Sequence, residues 1–227
     1  MAAVGNGEAL KSIQAYRWVY PGGGWEGSAT LLIFFNRRAY RVAMPAIQLW
    51  TIADLDTLPY DGVRYEILDG ELIVNPPPGL PHQDAGGQLY MMLYQYYEAQ
   101  GAGYAFVSPV GLPFDQRNYV EPDVIVSERR EGKRPRELAP ARTLLVVEVI
   151  SPSSGSRDRG RKRRLYMEGG VAEYWIVDVA KGCIERWFPS SAAPEVLTES
   201  IEWRVKPDAE PFQLDLIAFF ERMRDDA

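Results

Sequence analysis

Apolar and polar positions change period several times along this chain, and each change marks an element. Tyr65-Glu66-Ile67-Leu68 and Glu71-Leu72-Ile73-Val74 flank Asp69-Gly70. Two apolar-rich runs divided by Asp-Gly predict a β-hairpin, because glycine accepts the positive φ of a two-residue turn. Upstream, Ala53-Asp54-Leu55 predicts a short helix ending before Pro59; downstream, Pro76-Pro77-Pro78-Gly79 predicts a loop. Leu89, Met92, Leu93 and Tyr96 then fall at i, i+3, i+4 and i+7. That spacing predicts a helix over 83–100 with those residues on its buried face, closed by Gly101 and Gly103.

Three short strands are expected next, at 104–107, 111–114 and 124–127, followed by a basic, proline-containing loop over 129–140. The run 144–150 (Leu-Leu-Val-Val-Glu-Val-Ile) is apolar almost throughout, as in a strand buried on both faces. A cap at 153–156, a helix over 157–168 and a stop at Gly169-Gly170 follow. Strands at 173–177 and 184–187, one near 200–205 and a terminal helix from 214 complete the series. Strands and helices interleave, so the fold class is α/β with a central sheet. Residues 1–43 show no sustained period; they read as a poorly ordered stretch, either a genuine small extension or, by preference, upstream sequence from a misplaced start, ahead of a folded domain at 44–227.

Composition narrows the chemistry. The 227 residues are 46% hydrophobic and 25% charged, the mix of a globular protein. A formal charge of -6 argues against non-specific coating of nucleic acid, though not against a local basic groove. One cysteine, Cys183, and one histidine, His82, exclude an intrachain disulfide, a cysteine-rich zinc site and a His-rich metal site. Any metal would be held by oxygen, which favours Mg2+, Ca2+ or Mn2+. No apolar run is long enough to span a membrane, and the expected location is cytoplasmic.

The charged residues inside apolar strands carry the functional signal. Glu148 interrupts Val146-Val147 and Val149-Ile150, Asp123 follows Pro122 at the start of another apolar run, and Glu66 lies between Tyr65 and Ile67. If these carboxylates converge, their repulsion calls for a cation. Each has a plainer reading: Asp123 as a cap, Glu148 as the partner of an arginine, Glu66 on a solvent face. Asp158, Lys162 and Tyr166 line one face of the 157–168 helix, where the plainer reading is a solvated Asp-Lys pair. Arg161 to Arg164 are four basic residues in a row, the one clear basic patch.

In this order the motifs resemble the PD-(D/E)XK nuclease superfamily. More narrowly, they are similar to the Uma-type bacterial family described as "putative restriction endonucleases". The resemblance spans 49–187. It rests on Arg64-Tyr65-Glu66 with Asp69-Gly70-Glu71, on His82-Gln83, on Glu121-Pro122-Asp123 and on Val147-Glu148-Val149-Ile150-Ser151-Pro152. It continues through Asp158, Lys162 and Tyr166, then Gly170-Val171 and Glu173 to Asp178. One position departs from the superfamily pattern: Ile150 stands two after Glu148, so the motif's lysine is absent from the strand and Lys162 is the matching position.

The resemblance implies a restriction-endonuclease-like mixed sheet flanked by helices, and metal-dependent hydrolysis of phosphodiesters, DNA above all. Asp123 and Glu148 would bind Mg2+ (or Mn2+) with the Val149 carbonyl, and Glu66 would complete the site. Lys162 would orient the attacking water, while His82, Gln83, Arg161 and Tyr166 would contact substrate. A capping or core role for His82 stands beside that reading. A homodimer would suit cleavage of both strands of a duplex. The chief rival is a catalytically silent domain serving as a partner-binding module; a hydrolase of small phosphoesters is a third reading.

Overall fold

The structure is a computed structural model, and it describes residues 14–18, 27–31, 49–59, 62–128, 136–152 and 154–223. The chain divides into two units, Met1–Gln48 and Leu49–Ala227. In the first, β1 (Gln14–Trp18) and β2 (Gly27–Leu31) pair antiparallel. The remainder of the expected 1–43 extension lies outside the described residues, as does the 129–135 part of the basic loop.

The second unit begins with α1 (Ile52–Leu55), whose Thr51 and Asp54 form a reciprocal capping box. The predicted hairpin follows as β3 (Arg64–Leu68) and β4 (Glu71–Asn75). Asp69 at φ 53° and Gly70 at φ 79° make the two-residue turn that the Asp-Gly pair requires. This turn fixes the register Arg64↔Asn75 and Glu66↔Ile73. Arg64, Glu66 and Leu68 therefore share one face of β3.

Helix α2 (Leu80–Gln100) starts three residues before the predicted position, because Pro81 is tolerated in a first turn. Its buried stripe is Ala85, Leu89, Leu93 and Tyr97; Met92 and Tyr96, expected on that face, are half-buried at its edge. Each fully buried apolar side chain here contributes about 1.5–3 kcal/mol relative to exposure. Gly101 at φ 60° ends the helix.

Strands β5 (Gly103–Val107), β6 (Leu112–Asp115), β7 (Asn118–Val120), β8 (Val124–Glu128) and β9 (Thr143–Val149) come next. Then come helix α3 (155–168), β10 (Tyr174–Asp178), β11 (Cys183–Trp187) and β12 (Glu195–Leu197). A hairpin of β13 (Ser200–Trp203) and β14 (Phe212–Asp215) leads into α4 (Leu216–Glu221). The central sheet has the order β12-β11-β10-β9-β8-β5, mixed because only β9 and β10 run parallel, with α3 between them in sequence. A second, antiparallel sheet has the order β4-β3-β7-β6.

Alternation along β9 divides the core. Leu145, Val147 and Val149 pack with α2, Trp175 and the β13–β14 hairpin. Val146 packs on the other side with Tyr166 of α3, Leu68 of β3 and Tyr174 and Ile176 of β10. Glu148 belongs by parity to this second face, between α3 and the small sheet. The close approach of α2 to β5 depends on Gly103, where an added Cβ would strike the Tyr97 ring and come within 2.6 Å of the Ser127 carbonyl. Gly103→Ala is expected to cost about 1–3 kcal/mol, read as a lower urea midpoint; an unchanged midpoint would mean that both the Tyr97 ring and the Ser127 carbonyl yield freely.

Candidate active site

Glu148 and Asp123 approach each other because of β-sheet register. Val124 pairs with Val147, so Asp123, one residue before β8, comes alongside Glu148 in the antiparallel ladder. Glu66 enters from β3, and Asp158 and Lys162 from α3. All are buried: Glu66 is 1% exposed, Asp158 2%, Lys162 3%, Glu148 5% and Asp123 6%. The solvent-facing readings of Glu66 and of the Asp158–Lys162 pair do not hold in this packing.

Lys162 is the hub. Its Nζ donates to Glu66 Oε1 and to Glu148 Oε1, both at 2.8 Å, and lies 3.9 Å from Asp158 Oδ1. Tyr166, fully buried one turn later, donates its hydroxyl to Glu148 Oε1 at 2.5 Å. Glu66 is further fixed by the Glu121 amide at 2.8 Å and by Asn75 Nδ2 at 2.9 Å. Asp123 accepts from the Val149 amide (2.9 Å) and from Arg64 (3.0 Å), and His82 Nε2 stands 3.3 Å from its Oδ2.

Helix α3 is not a uniform α-helix. Across Asp158–Lys162 one turn is widened, and the Arg163 amide bonds to the Asp158 carbonyl five residues back. Such wide turns recur at functional sites. Here the wide turn stacks Asp158 over Lys162 facing the sheet, while Arg159 clamps it to β10 and β11 through Asp178 (2.9 Å) and Glu185 (2.8 Å).

Charge balance in this buried space is uneven. Glu66, Glu148 and Asp158 surround one ammonium. Burial works against that ammonium, yet Glu148, Glu66 and Asp158 outweigh it and hold Lys162 protonated. Burial opposes the Glu66 carboxylate too, but Lys162, the Glu121 amide and Asn75 keep its pKa low. Asp123 is likewise kept low against burial by His82, Arg64 and the Val149 amide. Glu148 is pushed up to about 8 by burial, with Asp123, Asp158 and Glu66 adding to what Lys162 offsets. Asp158 is raised by burial as well.

A pH dependence follows. Between the ordinary value of 4.5 and about 8 the folded state holds a proton on Glu148 that the unfolded state has released. Stability contributed by that proton is therefore lost as pH rises through this window. In EDTA the wild type is expected to melt at a higher temperature at pH 5 than at pH 8, and Glu148→Gln to flatten the difference. Equal melting temperatures at both pH values in the wild type would contradict this.

The other residues singled out by sequence occupy different surroundings. Gln83, in the first turn of α2, is exposed and lines a cleft of about 480 Å³ together with His82, Arg64, Tyr65, Tyr119 and Asp123. Arg161 is committed to Glu71 at 2.6 Å and to the Leu68 carbonyl. Arg163 lies over the Trp187 ring, so the four basic residues diverge. Arg64, Asn75 and Asp158 were not assigned roles by sequence, although β3 parity and the hairpin register bring Arg64 and Asn75 beside Glu66.

The donor set is hard oxygen, the kind Mg2+ takes, with one or two carboxylates sufficing beside water. Among the described residues no three or more acidic, histidine or cysteine side chains already converge as a metal cage. Asp123, Glu148, Glu66 and Asp158 set four carboxylates against Lys162 and Arg64, an acid-rich oxygen donor set of the kind that divalent cations take.

The model of the Uma2 family, described as "Putative restriction endonuclease", matches residues 52–216. The chain belongs to that family. The Uma2 match covers the hairpin, α2, the central sheet through β12 and all the residues of the site. The fold is shared with the crystal structure of "a putative nuclease belonging to DUF820" from Anabaena variabilis ATCC 29413, at a TM-score of 0.64 and 19% identity. That likeness covers 76% of this chain and 98% of the other. No curated protein matches the sequence. No helix among the described residues is long and apolar enough to cross a membrane.

Proposed function

We propose that this Uma2 protein is a divalent-metal-dependent endonuclease that hydrolyses phosphodiester bonds of DNA. The observation that carries the reading is the burial of Glu66 and Glu148 around Lys162, with Asp123 alongside Glu148 at the wall of an open cleft. Burying several carboxylates is costly unless they are paired or bind a cation.

Asp123 and Glu148 are the residues that would hold Mg2+ or Mn2+, with Glu66 held behind them by Lys162. The cation would supply Lewis-acid polarisation of the phosphate and a more acidic water. Lys162, with its ammonium at the centre of the site, orients the attacking water and offsets charge developing on the phosphate oxygens. Tyr166 and Glu66 act inside the protein by fixing Glu148 and Lys162. Arg64 and His82, at the cleft beside Asp123, meet the phosphate, and Gln83 contacts the chain next to it. Since Arg161 is engaged by Glu71, its contact with substrate would require that pair to open.

The closed state of the carboxylates favours one other reading, a silent domain in which Lys162 and Arg64 have replaced the metal. Incubation of plasmid, single-stranded DNA, RNA and a small phosphodiester with Mg2+, Mn2+ or EDTA separates these. Cleavage of DNA that EDTA abolishes is expected. Cleavage of the small ester alone would replace the substrate class, and inertness toward every substrate with Mg2+ or Mn2+ present would favour the silent domain.

A further inference from the structure

Asp158 is 2% exposed, yet its Oδ1 has no hydrogen-bond partner. A buried carboxylate oxygen left unpaired costs free energy, and such an orphan needs a reason. The nearest cation is Lys162 Nζ, 3.9 Å away and bonded instead to Glu66 and Glu148. An ammonium has three donors, and the bonds to Glu66 and Glu148 use two of them. The wide turn of α3 is what sets Asp158 at this distance, and the Arg159 clamp to Asp178 and Glu185 holds the turn there.

Glu148 Oε1 now serves both Lys162 and Tyr166. In the function proposed above, on which this inference rests, the same carboxylate must also face a divalent cation. An ammonium held 2.8 Å from that carboxylate would then sit close to a second positive charge, and the repulsion would be large in a buried site. We infer that Asp158 is a positioning residue that receives the Lys162 ammonium when it leaves Glu148, so that Lys162 moves between two carboxylates as the metal site fills. The move changes no covalent bond: one N–H donor leaves Glu148 Oε1 and takes Asp158 Oδ1, while the bond to Glu66 holds the other side of the ammonium.

The test is Mn2+ binding by calorimetry in a four-protein cycle: wild type, Asp158→Asn, Lys162→Gln and the double variant, each checked for folding. Asp158→Asn alone is expected to weaken Mn2+ about tenfold, because the ammonium loses its charged destination and competes for Glu148. In the Lys162→Gln background the same change is expected to leave Mn2+ affinity unaltered. An equal loss in both backgrounds, or none in either, overturns the inference while leaving the metal site standing. Absence of Mn2+ binding by folded wild type overturns the nuclease reading and this inference with it. Should Lys162→Gln not fold, the structure of the Mn2+-bound wild type decides. Closure of the 3.9 Å gap between Nζ and Asp158 Oδ1 supports the inference, and an unchanged gap overturns it.

Discussion

Replacing Asp123 or Glu148 with alanine is expected to lower metal-dependent DNA cleavage by about a thousandfold. Both carboxylates are buried, where the attraction of an anion for a cation is stronger than in water. The conservative changes sharpen the test. Glu148→Gln retains an oxygen for Lys162 and Tyr166 but removes the charge, so packing survives while cation binding suffers. Asp123→Asn also removes the charge, but its one carbonyl oxygen can accept from Arg64 or from the Val149 amide and not from both. Both conservative variants should bind DNA with affinity near that of the wild type, and turnover should carry the loss. Turnover within a few-fold of wild type in either variant would remove that residue from the site.

The largest stability effect is expected from Lys162→Met. It deletes the counter-charge of Glu66, Glu148 and Asp158 while leaving all three buried. Breaking a buried ion network from one side costs about 3–5 kcal/mol. Urea denaturation at pH 8 should show that loss. The loss should be smaller at pH 5, because Glu148 and Asp158, whose pKa values burial already raises, then take up protons. A Lys162→Met variant as stable as wild type at pH 8 would show that the carboxylates are not charged together there.

Much of this was legible in the sequence, and the exceptions have physical causes. Glu148 stood out because β9 is apolar on both faces, so a charge within it had to be buried. Asp69-Gly70 determined the hairpin and, through its register, the face that carries Glu66. The wide turn in α3 was not legible: a spacing of four between Asp158 and Lys162 suits an exposed α-helical ion pair equally well. Which face α3 buries is decided by the sheet it meets and by the Arg159 clamp. β7, β12 and β14 were missed because strands this short hold few positions from which to establish a period. Gln83 and Arg161 were named from their places beside motifs, and only packing shows one open to the cleft and the other engaged by Glu71.

Asp123 and Glu148 are proposed to hold a divalent cation that makes this site a nuclease. Mn2+ titrated into folded wild type and into the Asp123→Ala, Glu148→Ala double variant, with plasmid cleavage followed in the same samples, tests it most directly. Wild type is expected to bind Mn2+ with cleavage rising with occupancy, and the double variant to lose both. Cleavage that persists in the double variant, or folded wild type that binds no Mn2+, would contradict it.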